Sequence, residues 1–243
     1  MASSNEYKED RVGYGIIKPP QGIYEASATQ KAEIGYRILV GDRVFRYAYA
    51  GGTALIAGTL VKSAQLPAEV NKAVSAAVSV GAYKVTVTTA AAQLYLAGGY
   101  MVVNDVDGEG HVYRIKSSAA NATTATSTDL VLYDPIAVAL TTSSEVELYG
   151  SPYYDLDLAA AITDHISGVP PIAVTANYYF WLQTWGFCAC LVGATTTAGA
   201  LLVPHTTDGS VTPASAFTSE IIGHALTGGT ATEYNGIYLR IAP

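Results

Sequence analysis

Charge is scarce in this sequence: 14% of its residues are Asp, Glu, Lys or Arg, against 50% that are hydrophobic. Basic residues are the scarcer sign, 13 against 20 acidic, for a net charge of −7. The few Lys and Arg are scattered, which leaves little to neutralise a run of phosphates, so nucleic acid is not an expected partner. Long apolar runs are missing as well. The strongest, near Ile136–Leu140 and Tyr178–Val192, are short or interrupted by Gln, Thr and Gly. Neither reaches the roughly 18 residues of a membrane span. The opening Met1–Asp10 has no apolar stretch of the kind a secretory signal needs. Two cysteines, Cys188 and Cys190, cannot build a disulfide framework or a four-ligand zinc site. Two apart on an extended strand, they share a face and read as small, buried, reduced side chains.

Chemistry-bearing constellations are equally thin. The four histidines, His111, His165, His205 and His224, fall in four separate segments, with no His-Glu-x-x-His pairing. No Gly-x-Ser-x-Gly elbow is present to expose a nucleophile. Asp105-Val-Asp107-Gly108-Glu109 invites a calcium reading. However, its Gly comes two positions early for an EF-hand loop, and Lys116 stands where the closing Glu belongs. A solvated hairpin turn accounts for it better. No catalytic residue, metal site or cofactor is nominated.

What is abundant is Ala, Thr, Gly and Tyr, with 18 Tyr against 4 Phe. Tyr presents an apolar ring with a polar tip and suits half-exposed strands and protein contacts. Period-2 patterning recurs. Phe45, Tyr47 and Tyr49 alternate with Val44, Arg46 and Ala48. Tyr83, Val85 and Val87 share a face, and the turn-rich Asn104–Gly110 separates Gly99–Val103 from His111–Lys116. Asn177–Trp185 and Phe187–Val192 read as two strands broken at Gly186, and Glu220–Leu226 is expected to pair with Ile237–Ile241. The one candidate helix is Leu66–Ala77, read as a short helix or a loop.

The class is therefore all-β: a barrel or sandwich domain over 31–77 and 151–243, with a barrel-like β subdomain inserted at 78–150. Residues 1–30, punctuated by Gly and by Pro19-Pro20, read as an extended arm that is either disordered or laid along a partner. Candidate partner-contact residues are Pro19, Pro20, Tyr24, Tyr153, Tyr154, Tyr179 and Trp181. Tyr153, Tyr154, Tyr178, Tyr179, Trp181 and Trp185 could also stack on sugar rings, which leaves a glycan-binding reading open. Asp155 and Asp157 could face a partner or simply form a polar strand edge.

Several phrases together resemble virion proteins of tailed bacteriophages. They are Phe45-Arg-Tyr-Ala-Tyr-Ala-Gly-Gly-Thr-Ala-Leu-Ile-Ala-Gly-Thr-Leu-Val61, Gly98-Gly-Tyr-Met-Val-Val-Asn-Asp105 and Gly108-Glu-Gly-His-Val-Tyr-Arg-Ile115, followed by Tyr178–Gly186, Ile221–Leu226 and Ile237–Ile241. The likeness runs in patches from Phe45 to Ile241 and leaves out the first thirty residues. It implies a non-enzymatic capsid decoration (cement) protein. Such a protein would be made in the host cytoplasm, sit on the virion surface as a homotrimer, and bind the lattice of the major capsid protein. The alternative is a receptor- or glycan-binding adhesin of the tail or head.

Overall fold

The computed structural model describes residues 20–64, 69–89, 96–118, 126–206, 209–215 and 220–243. Among them the chain is all-β, with no helix. Seventeen strands occur in chain order: β1 (Ala26–Ser27), β2 (Arg37–Val40), β3 (Arg43–Tyr49), β4 (Val61–Ser63), β5 (Glu69–Ala73), β6 (Lys84–Val87), β7 (Tyr100–Asp105), β8 (Val112–Ser118), β9 (Thr128–Leu132), β10 (Glu145–Tyr149), β11 (Leu156–Leu158), β12 (Ile166–Gly168), β13 (Tyr179–Leu191), β14 (Leu201–Pro204), β15 (Val211–Pro213), β16 (Gly223–Ala225) and β17 (Tyr234–Arg240). They form an eight-stranded sheet in which β15-β14-β16-β17-β13-β3-β2 run side by side and β1 joins β13. A six-stranded sheet is ordered β5-β10-β7-β8-β9-β6, and a three-stranded one β11-β4-β12. Every named pairing between strands is antiparallel.

The six-stranded sheet curls until its edges meet. Val74, just past β5, bridges Val87 at the end of β6, and Ser75 N–H donates to the Thr86 carbonyl at 2.8 Å. Closure removes the exposed edges that an open sheet would leave. The inward residues of each strand fill the interior: Val85 and Val87, Met101 and Val103, Tyr113 and Ile115, Leu130 and Leu132, Val146 and Leu148. Outward positions of these strands remain partly or wholly exposed, as alternation requires. The β7–β8 pair is joined through the expected Asn104–Gly110 turn.

This sheet begins at Glu69 rather than Val78. The expectation of a helix or loop over Leu66–Ala77 fails at 69–73, which is strand β5, paired with β10, whereas 74–77 leaves the strand through a bridge and a bend. Ala, Glu and Lys carry good helix propensity, but Asn71 sits at φ 51 and the register slips beside it. Asn tolerates that left-handed conformation better than most residues. The pairing that closes the barrel outweighs local propensity here.

In the eight-stranded sheet the pattern β13-β17-β16-β14-β15 also closes on itself. Val192, one residue past β13, bridges Val211 of β15, and Gly193 N–H donates to the Val211 carbonyl at 2.8 Å. Inside lie Cys188, Cys190, Val192, Leu202, Val211, Ile222, Ile237 and Leu239, capped by Leu60, Ala159 and Ile166. The two cysteines are free thiols on one buried face. Burial pushes the Cys188 thiol up to about 12 and Cys190 well above its ordinary value. The expected pairing of the last two segments holds, with Gly223, His224 and Ala225 opposite Leu239, Tyr238 and Ile237.

Strand β13 runs unbroken through Gly186, where two strands were expected. Gly186 has φ +89, and a Cβ there would meet the Asp42 carbonyl oxygen at 2.6 Å. Glycine lets the strand bend without ending it. A register shift at Gln183/Trp185 adds to the bend.

The described part of the N-terminal arm lies on the chain's own sheet. Ala26 and Ser27 pair with Phe180 and Tyr179. Ile23 and Ile34 pack with Phe45, Tyr47 and Trp181. Residues 1–19, Pro19 among them, lie outside the described residues.

Candidate binding groove

The aromatic candidates Tyr153, Tyr154, Tyr179 and Trp181 do come together, but around an internal cluster. Trp181 is 0% exposed. Its ring meets Tyr47 edge-on at 4.9 Å, and its Nε1–H donates to the Gln21 carbonyl at 2.8 Å. Trp181 is thus corrected from a contact residue to a core residue: the segment after Pro20 covers the face it would have offered. Tyr47 Oη donates to Gln21 Oε1 at 2.9 Å and accepts from Lys31 N–H at 2.9 Å. Tyr179 stacks on Tyr47 and tilts against Tyr49, which stacks on Tyr154 at 4.9 Å. Burial, then the neighbouring Tyr49, Tyr179 and Asp155, pushes the Tyr154 phenol up to about 12. Tyr153 packs its ring beneath Arg46 at 5.8 Å and is likewise raised by burial. These rings are partly covered and spend their faces on one another. Asp157 lies on β11, an edge strand of the three-stranded sheet, and is partly exposed, with its Oδ1 buried and without a hydrogen-bond partner.

Of the candidates, Pro20 and Tyr24 are exposed, and Tyr24 leads to the more open feature. A groove of ≈ 630 Å³ lies along the second half of β13. Four large apolar side chains line it in the open: Tyr24 at 58% exposure, Ile56 at 49%, Phe187 at 53% and Tyr234 at 51%. Pro170, Pro171 and Ala173 complete an apolar wall. Gly58 lets Tyr234 lie close: it has φ +71, and a Cβ there would meet the Tyr234 ring at 2.8 Å. Arg43 supplies the cation at one end. It stacks over Phe45 at 5.3 Å and donates from Nη1 to Tyr24 Oη at 3.4 Å.

The floor of the groove is backbone. Leu191 N–H donates to the Gly58 carbonyl at 2.8 Å, whereas Val192 N–H donates to the Glu233 carbonyl at 2.9 Å, back toward β17. The register with β17 runs without a shift from Trp185 to Leu191. Alternation therefore turns the N–H groups of Phe187 and Ala189 the same way as that of Leu191, away from β17. Neither meets an acceptor among the described residues. The Phe187 carbonyl is already taken by Gln183 Nε2 at 2.8 Å, which also donates to the Trp185 carbonyl at 3.1 Å.

Sequence reading found one of the four apolar side chains of this groove. The others come from segments far apart in the chain. A signal existed for Phe187: on a strand whose Cys188 and Cys190 point inward, it is out of phase and must face outward.

Among the described residues no group of three or more His, Cys, Asp or Glu is disposed to hold a metal ion. Comparison of the chain with protein-family models, with curated proteins and with solved structures finds no match.

Proposed function

We propose that this chain is a non-enzymatic capsid decoration (cement) protein of a tailed bacteriophage, bound to the outer surface of the major capsid protein lattice as a homotrimer and stabilising the head. The observation that carries the reading is the groove: exposed apolar walls beside unpaired backbone amides, a combination that suits an extended polypeptide. Exposed apolar clusters of this kind mark interaction sites on soluble proteins. The resemblance of the sequence to phage virion proteins supplies the setting.

The groove also favours a polypeptide over a sugar. Sugar recognition needs convergent polar groups around the ring faces. Here, beyond the tyrosine hydroxyls, the polar side chains are Arg43 and Gln183, and the Gln183 amide nitrogen is already engaged twice. Decoration is a binding function, so its physics is that of buried area and valency. A specific footing buries about 1,200–2,000 Å² in total. Three linked footings gain through effective concentration, so modest individual contacts give lasting attachment.

The test is co-sedimentation of the purified chain with expanded coat-protein shells. The wild-type chain should saturate the shells at a fixed ratio to coat subunits, and Phe187→Asp should cut occupancy several-fold while leaving the thermal transition in place. Failure of the wild-type chain to sediment with the shells would refute the proposal.

A further inference from the structure

With the decoration reading as its setting, we infer that strand β2 is a self-pairing edge. Through it two copies of this chain join their eight-stranded sheets across a two-fold axis and tie one trimer to the next.

Strand β2 ends the eight-stranded sheet, with β3 on one side and no described strand on the other. Tyr47 N–H donates to the Tyr36 carbonyl at 2.9 Å, so alternation turns the carbonyls of Tyr36, Ile38 and Val40 toward β3. Arg37 and Leu39 therefore point their backbone N–H and carbonyl groups out of the sheet. An open edge with apolar side chains is a template for pairing with another strand. This one carries Tyr36 at 44% exposure and Leu39 at 62%.

The edge is complementary to itself. A second copy running antiparallel and centred on Ile38 sets its Leu39 opposite Arg37 and its Arg37 opposite Leu39. Both residues point their backbone groups outward, so each pair can exchange N–H to carbonyl bonds in both directions. On one face Ile38 meets Ile38 of the second copy, and Tyr36 meets its Val40. Ile38 and Val40 already pack on the Phe45 and Trp181 cluster, and the Tyr36 ring lies 6.4 Å from Trp181. Pairing thus makes the two clusters continuous. On the other face Leu39 lies along the Arg37 stem, and no like charges stand opposite. The exposed Asp42, at the hairpin tip, comes to the end of the pairing that holds Arg37 of the second copy. Neither group has an ion-pair partner among the described residues.

The axis of such a pairing stands perpendicular to the sheet, so both copies turn the same face to one side, as neighbours on one shell must. It is also distinct from the threefold contact of a trimer. A strand of 4 residues buries less than the about 1,200 Å² of a stable interface, so the contact is weak between free chains. On the lattice, effective concentration strengthens it.

The test is disulfide trapping with Ile38→Cys and Leu39→Cys; Cys188 and Cys190 are buried and take no part. Across the axis the two Ile38 Cα atoms would lie about 4.5 Å apart, inside disulfide range. The two Leu39 Cα atoms, displaced along the strands, would lie about 8 Å apart, outside it. Under mild oxidation of the concentrated free chain, Ile38→Cys should give linked pairs about tenfold or more faster than Leu39→Cys. Adding Leu39→Lys to Ile38→Cys puts a second cation opposite Arg37 and should slow linkage several-fold with the urea midpoint unchanged. Bound to coat shells, the Ile38→Cys chain should link faster still. No linkage at Ile38→Cys, or equal rates for the two cysteine variants, would overturn the self-pairing. Linkage in solution by a chain that does not bind shells would keep the pairing and remove the decoration reading. Binding to shells without linkage there would overturn the tie between trimers.

Discussion

Replacing Tyr47 with Phe tests whether the segment after Pro20 is built into the fold. The ring remains, with its edge-on contact to Trp181 and its stack on Tyr179. Only the hydroxyl goes, and with it the bond from Lys31 N–H and the bond to Gln21 Oε1. Lys31 is exposed, so water can replace its lost acceptor, at a net loss of about 1 kcal/mol. Gln21 is 5% exposed, and leaving its Oε1 without a donor costs about 1–3 kcal/mol. The expected loss is thus about 2–4 kcal/mol. Tyr49→Phe is the matched control, since its hydroxyl donates to Asn177 Oδ1 at 3.2 Å on the exposed side, and it should cost no more than about 0.5 kcal/mol. Urea denaturation read by tryptophan fluorescence measures both, provided the m-value is constant. A Tyr47→Phe loss no larger than that of Tyr49→Phe would refute the docking of residues 20–31 onto β13.

Three further outcomes are expected. Burial alone would raise the Asp164 carboxyl, but bonds from Lys62 Nζ and from the Ala160 and Ala161 N–H groups outweigh it and hold the carboxyl below its ordinary value. Its contribution is therefore present above the unfolded carboxyl's value, about 3.9, and fades as pH falls through the lower folded value. The stability gap between wild type and Asp164→Asn in urea should be widest at neutral pH and close in acid, and a gap independent of pH would contradict the ion pair. Cys188 and Cys190, raised by burial, should resist a thiol reagent at about pH 8 until the chain unfolds, and labelling of the native chain at the rate of a free thiol would show that the barrel is open there. Gly58→Ala places a Cβ against the Tyr234 ring at a left-handed φ, so it should lower the melting temperature and weaken shell binding together, whereas unchanged binding would detach Tyr234 from the footing.

Much of the architecture was legible from alternation. Val85 with Val87 and Phe45 with Tyr47 announce their buried faces because strand period is fixed by the backbone. The Asn104–Gly110 turn is legible because its residues favour turn conformations. Strand β5 was not, because its letters favour helix and only its distant partner β10 makes it a strand. Gly186 was misread as a strand end, since a glycine that bends a strand and one that ends it look alike in one dimension. Trp181 looked like a contact residue because nothing in the polar run around Gln21 announces that it covers an indole. The groove was the least legible feature, being assembled from Tyr24, Ile56, Pro170, Phe187 and Tyr234, which only the closed sheet brings together.

The claim that this chain acts by coating a capsid is tested most directly by its copy number in purified phage particles. Quantitative mass spectrometry of the virion should find it in a fixed ratio to the major capsid protein, close to that of a lattice-wide component. A ratio at the level of tail proteins, or its absence from the particle, would contradict the account.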